Sequence, residues 1–148
     1  MAVRVQRADF DLGAELAAIR AGRTDIGALV SFTGLVRDRE GGLAGFELEH
    51  YPGMTERALA AIEAEARARW PLQDALVIHR FGALAPGEQI MMVATASAHR
   101  AAAFAAAEFL MDYLKSRAPF WKRETTAAGA FWVAAKAEDE AALDRWSR

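Results

Sequence analysis

The residue that most restricts how this chain folds is Pro119, set inside the stretch Met111 to Glu124, MDYLKSRAPFWKRE. Proline cannot continue a helix, and it pushes the residue before it out of the helical region. A helix entering from the left therefore ends near Arg117 or Ala118. Phe120 to Thr125 is short and aromatic-rich, which predicts an extended strand. Strand alternation puts Phe120, Lys122 and Glu124 on one face and Trp121 and Arg123 on the other. Lys115 thus closes a helix, Lys122 opens a strand, and a turn between them can bring the two ammonium groups together. Four cations, Lys115, Arg117, Lys122 and Arg123, fall within nine residues, interleaved with Tyr113, Phe120 and Trp121. Two readings stay open. Lys115 and Arg117 offset a helix dipole, at roughly 0.3–1 kcal/mol each, while Lys122 and Arg123 are solvated strand residues. Alternatively, cations held close in a partly apolar setting receive an anionic ligand.

The elements on either side follow from local pattern. Residues 3–6 form a short edge strand, and Asp11 caps a helix over Leu12 to Arg20 that Gly22 ends. Ile26 to Val36 reads as a buried strand, interrupted at Gly34 where a bulge or close approach is expected. Arg37 leaves that strand, either as an exposed strand-end side chain or as part of a site. The loop DREGG and a strand Phe46 to His50 come next. A turn at 51–54 then leads into a helix that reaches about Trp70, burying Leu59, Ile62, Ala66 and Trp70, with Glu63 among the charges on its solvated face. Ala75 to Phe81 is a strand carrying Val77 and His79 on one face and Leu76 and Ile78 on the other. His79 reads as a packed, hydrogen-bonded residue. A loop over 82–88 precedes the apolar strand Gln89 to Ala96, whose methionines fill core space. Ser97 is expected to cap a helix to about Ser116, with Phe104, Leu110, Met111 and Leu114 on its buried side. His99 and Arg100 fall in its first turn, where the dipole is already positive. They are either two exposed side chains pointing away or a cation pair set for an anion. Phe131 to Ala135 is a last strand, and a tail, Asp139 to Trp146, docks or frays. The order predicts one α+β domain over 1–148, helices packed on a largely antiparallel sheet.

Composition narrows the chemistry. The 148 residues are 53% hydrophobic with a net charge of −2, enough for a real core and too acidic for a general nucleic-acid binder. No apolar run approaches a membrane span and the N-terminus has no signal-peptide core, which predicts a cytoplasmic protein. The chain has no cysteine, which excludes disulfides, thiolate metal sites and a cysteine nucleophile. Histidines at 50, 79 and 99 have no ligand spacing, so metal-free chemistry is expected. Three cationic groups, Arg37, His99–Arg100 and Lys115–Lys122, lie at element ends. If they converge, they bind a phosphate or carboxylate and leave a lysine for chemistry. Electrostatic work by Lys122 and acid–base or covalent work by Lys115 is one split, which pattern does not assign.

Five blocks, SFTGLVRD (31–38), LEHYPGM (48–54), IHRFGALAPGE (78–88), ASAHRAAAF (96–104) and MDYLKSRAPFWKRE (111–124), together resemble the large, catalytic subunit of molybdopterin synthase, the MoaE type. The blocks run in family order over nearly the whole chain. The resemblance implies an α/β-hammerhead fold and a sulfurtransferase with no cofactor. It implies an essential lysine at Lys115, a second active-site lysine at Lys122, and a substrate site lined by Leu35, Val36 and Arg37. His99 and Arg100 would form an anion pocket, and Arg123 and Glu124 would complete the Lys-Arg-Glu segment. The implied partner is a small ubiquitin-like subunit of the MoaD type with a C-terminal Gly-Gly thiocarboxylate, one at each end of a central homodimer. The implied substrate is cyclic pyranopterin monophosphate (precursor Z), which receives two sulfurs to give the molybdopterin dithiolene. Two rivals remain: a scaffold that keeps only the small-subunit interface, and a single-stranded nucleic-acid module in which Phe120 and Trp121 stack on bases.

Overall fold

The computed structural model describes residues 2–38, 45–126, 129–133 and 141–147. Strand β1 (Ala2–Gln6) leads to helix α1 (Leu12–Arg20), then β2 (Ala28–Leu35) and β3 (Gly45–His50). Helix α2 (Met54–Arg69) is followed by three strands, β4 (Leu72–Arg80), β5 (Gly82–Leu84) and β6 (Gln89–Ser97). Helix α3 (Arg100–Arg117), β7 (Phe120–Thr126), β8 (Gly129–Val133) and a 3-10 turn (Leu143–Trp146) complete the chain. The fold is α+β, as expected. The described strands form two four-stranded sheets where one was expected, ordered β1-β4-β6-β2 and β5-β3-β7-β8. Among the described strands only the β1–β4 pair is parallel. The second sheet takes in 82–84, expected as loop, which pairs with β3.

The first sheet is covered on both faces, as the alternation in β4 predicts. Val77 joins Met91, Val93, Leu59, Ile62, Ala66, Phe109, Leu110 and Leu114 under α2 and α3. Leu76 and Ile78 join Met92, Ala94 and Ala96 under α1. Asp11 accepts the Ala14 N–H at 3.0 Å as the helix cap, and Gly22, at φ 67°, ends α1. The bulge expected at Gly34 is present, as a register shift between Gly34 and Leu35. A third apolar cluster, Val36, Phe46, Leu48 and Leu84, lies on the inner face of the second sheet.

Four local expectations are corrected. Ser97 belongs to β6, where its hydroxyl donates to the Pro71 carbonyl at 2.9 Å; the cap position of α3 is His99. Phe104 is 61% exposed, because the buried stripe of α3 runs through Ala103, Ala106, Leu110 and Leu114, about 100° around the helix from it. Glu63 is 2% exposed. It accepts from Arg67 Nε at 3.0 Å, which compensates part of the cost of burying a carboxylate. The last strand begins at Gly129, and Ala134 and Ala135 lie outside the described residues. The tail docks: Trp146 donates its indole N–H to Asp112 at 2.6 Å and meets Trp70 edge-on at 5.6 Å.

Gly27 shows how tightly β2 is seated. Its N–H donates to the Ser97 carbonyl at 3.0 Å, and an added Cβ would stand 2.1 Å from the Ala98 carbonyl oxygen. Backbone cannot rotate away from such a clash as a side chain can. Gly27→Ala should therefore destabilise the protein by about 2–4 kcal/mol, measured by urea denaturation; a loss under about 0.5 kcal/mol would show that the seat is looser than this.

Candidate active site

The site is built where α3 stops and β7 starts. After Arg117, Ala118 turns to extended backbone, at φ −74° and ψ 132°, as the proline behind it requires. The Phe120 N–H donates to the Ala118 carbonyl at 2.9 Å, closing a tight connection. Along β7 the register with β3 pairs Phe120 with His50, Lys122 with Leu48 and Glu124 with Phe46. Cross-strand partners share a face, and Phe46 and Leu48 are core residues. The chain of Lys122 therefore starts on the inner face and is half-buried, while Glu124 is buried. The opposite face holds Trp121, edge-on to Tyr51 at 4.2 Å, and Arg123, 3.4 Å from Glu47. The expected alternation is present. It separates Arg123 from Lys122, two residues expected in one substrate site.

Under this junction lies His79, 8% exposed. Its ring stacks face to face on Phe120, with centroids 3.8 Å apart and planes 17° from parallel. Its Nδ1 lies 2.8 Å from the Arg80 carbonyl. A carbonyl only accepts, so Nδ1 carries the proton and Nε2 the lone pair. Burial pulls the imidazole down to about 4, and the positive charges of Lys115 and Lys122 push in the same direction. The tight Ala118–Phe120 connection sets Lys115 at the end of α3 and Lys122 on the inner face of β7, one on each side of this junction. His50 stands on the other side, its ring 4.1 Å from Phe81 and 6.3 Å from Phe120. Its Nδ1 is buried without a hydrogen bond, with Glu56 at 3.9 Å.

Arg37 comes to the same end of the molecule. His79 pairs with Met91, and Met91 with Gly34, a row of three strands that puts Gly34 roughly 10 Å from His79. Val36 is clamped beyond it: its N–H donates to the Glu88 carbonyl at 2.9 Å, and its carbonyl accepts from Gly87 at 2.7 Å. Val36 is buried in the third cluster, while Leu35 and Arg37 on either side are exposed. His99 and Arg100 are exposed as well, but at the far end. Fifteen helical steps lead from Arg100 to Lys115, roughly 22 Å at 1.5 Å per residue. Within one chain the three cationic groups do not all converge: Arg37, Lys115 and Lys122 share an end, and the His99–Arg100 pair is elsewhere.

His79 is packed and hydrogen-bonded, as its sequence position suggested, but sequence reasoning did not connect it or His50 with the lysine turn. One compositional signal pointed at the lysines themselves: of eighteen lysines and arginines only three are lysine, at 115, 122 and 136. A chain that otherwise uses arginine spends two of its three titratable amines on this turn. Among the described residues no cluster of histidine and carboxylate side chains is placed to hold a metal ion, and no helix is long and apolar enough to cross a membrane.

Residues 5–117 match the model of the MoaE protein family. The chain belongs to the MoaE family. The molybdopterin synthase catalytic subunit of Cereibacter sphaeroides is 68% identical over 146 residues, 99% of this chain and 100% of that protein. The subunit of the same name from Pseudomonas aeruginosa is 57% identical over 148 residues, 99% of each chain. Among solved structures, the molybdopterin biosynthesis MoaE protein of Burkholderia ambifaria superposes with a TM-score of 0.84 at 56% identity, covering 99% of this chain and 98% of its own. The family match ends at Arg117, before Pro119 and Lys122, whereas these relatives cover almost the full chain and so take in both sides of the lysine turn.

The buried imidazole gives this MoaE chain a pH dependence with a definite sign. The folded His79 resists protonation down to about 4, whereas an unfolded histidine takes up a proton near 6.5. Stability is therefore fully present above about pH 6.5 and falls as pH drops toward 4. Between pH 7 and 5 this one group should cost about 2 kcal/mol in urea denaturation, and His79→Phe should remove that part of the decline. An unchanged decline in the variant would assign the acid sensitivity to other groups.

Proposed function

We propose that this chain is the catalytic subunit of a molybdopterin synthase, a sulfurtransferase of molybdenum cofactor biosynthesis. It takes sulfur from the C-terminal Gly-Gly thiocarboxylate of a small ubiquitin-like partner and passes it, twice, to cyclic pyranopterin monophosphate, opening the cyclic phosphate and giving the dithiolene. The observation that carries this reading is the tight turn at Pro119, which sets Lys115 at the end of α3 and Lys122 on the inner face of β7, with the Phe120–His79 stack between the two sheets. A chain without cysteine must receive its sulfur from elsewhere. The thiocarboxylate and the cyclic phosphate are both anions, and cations gathered in a partly apolar setting suit both. Lys115, exposed at the helix end, meets the thiocarboxylate as acid–base or transient covalent partner. Lys122, on the inner face beside Glu124, stabilises the negative charge that develops. Arg37, with Leu35 and Val36 beside it, holds the phosphate end of the substrate, and Arg123 braces β7 from its outer face against Glu47.

The distant His99–Arg100 pair fits a homodimer, the centre of a heterotetramer with one small subunit at each end. Strand β2 is an edge of its sheet and exposes Phe32 (44%) and Leu35 (56%), with Phe104 (61%) exposed on α3, which packs against it. An apolar edge of this kind is a pairing surface. A two-fold axis beside β2 runs the two copies of that strand antiparallel. The Ala28 end of one copy then meets the Leu35 end of the other. Because Ala28 pairs with Ser97, two residues before His99, this brings the His99–Arg100 of one copy to the Arg37 of the other.

Reconstitution with a thiocarboxylated small subunit and precursor Z, read as the fluorescent oxidised product, tests the reaction. Lys115→Ala should lower product formation by about 100-fold or more; activity within a few-fold of wild type would remove Lys115 from its role. A wild type that binds the small subunit but makes no product would return the chain to a scaffold. The dimer is tested by heterodimers of one Lys115→Ala copy and one Arg100→Ala copy. If the pair acts across the axis, one site stays whole and about half the activity remains. If Arg100 serves its own chain, both sites are damaged and activity is lost.

A further inference from the structure

We infer that His79 is a positioning residue for the lysine pair: its ring, fixed at the junction of the two sheets and stacked on Phe120, holds the Ala118–Phe120 turn from which Lys115 and Lys122 project. The inference rests on the reading of those lysines as the reacting groups. The turn has little to hold it by itself, since Pro119 has no N–H to donate. It is gripped from two other elements. From α2, the Thr55 hydroxyl donates to the Pro119 carbonyl at 3.3 Å while accepting the Tyr51 N–H at 3.1 Å, and Thr55 is fully buried. From β4, the His79 ring lies flat on Phe120, and the Nδ1–H bond to the Arg80 carbonyl at 2.8 Å sets the plane of that ring. An aromatic ring whose rotation is fixed by a hydrogen bond gives Phe120 one resting plane, where an aliphatic side chain would allow several.

The positions of the two lysines follow from Phe120. Lys122 is two residues along the same face of β7, so a tilt of Phe120 carries directly into it. Lys115 is five residues before, next to Leu114, which is anchored in the core under α3. The turn is thus the one joint between two anchored elements, and the stack fixes that joint. The choice of imidazole also suits a cation site. A carboxylate in this place would pair with the lysines and compete with an anionic substrate, whereas a ring kept neutral by burial places no counter-charge beneath them.

The chain has three lysines, at 115, 122 and 136, so reductive methylation with carbon-13 formaldehyde yields a spectrum in which each dimethylamino group can be assigned by single substitution. The full-length protein is compared with His79→Asn, which keeps a donor for the Arg80 carbonyl but loses the ring, and with His79→Phe, which keeps a flat ring. His79→Asn should move the resonances of Lys115 and Lys122 and lower kcat in the reconstituted reaction about 10-fold with KM nearly unchanged. His79→Phe should restore both toward wild type. Leu76→Ala, in the cluster under α1, supplies a loss of stability away from the turn and should leave both resonances in place. Should His79→Asn fail to fold, Phe120→Leu removes the stack from the other side and carries the same expectation. A folded variant of either kind with unmoved lysine resonances and wild-type kcat would overturn the inference. The resonances are read without substrate. A wild type that forms no product would therefore sink the proposed reaction, while the spectra would still decide the role of His79.

Discussion

Two sheets of different character meet at the end of β4, and the face-to-face contact of Phe120 with His79 closes the seam between them. The first sheet is a buried slab with helices on both faces. The second carries its apolar cluster, Val36 and its neighbours, on its inner face. Without the stack, β7 would be held to the rest of the molecule chiefly through its ladder with β3. Ladder hydrogen bonds fix register along a strand, but they do not fix the angle at which the strand meets a neighbouring sheet. That angle is set by side chains at the seam, and here the seam includes the His79 and Phe120 rings beside the Val36 cluster.

The electrostatic arrangement follows from this packing. A buried, neutral ring sits where two cations approach. The cost of holding positive charges together is borne by a fold whose core lies elsewhere, under α2 and α3. Arginine would keep the same charge, but its guanidinium stays protonated and cannot exchange a proton or form a covalent link near neutral pH. The placing of two of the three lysines on this turn, in a chain otherwise rich in arginine, matches a site that needs an amine. The His99–Arg100 pair shows the other limit of a single chain. An element 27 Å long (18 residues at 1.5 Å) separates its two ends however well each is built, and symmetry is the economical way to bring opposite ends together.

Much of this was readable from the chain alone, because it depends on local rules. Proline ends a helix wherever it stands, so the break at Pro119 and the alternation of Lys122 against Arg123 needed no tertiary information. The caps and stops of α1, the two faces of β4 and the bulge at Gly34 follow from the same kind of rule. The five sequence blocks that resemble the MoaE family agree with the family match and with relatives covering nearly the whole chain. What the sequence could not supply were facts about neighbours distant along the chain. Ser97 looks like a helix cap until β6 is seen to run through it. Glu63 looks solvated until Arg67 is found beside it in the interior. Phe104 looks buried until the core is seen to lie on an adjacent stripe of the same helix. The gathering of Lys115, Lys122 and Arg37 at one end, the exile of His99 and Arg100 to the other, and the placing of His79 beneath the lysines were decided by tertiary structure. Strand order and sheet packing bring together residues that are dozens of positions apart, and no local preference encodes that distance.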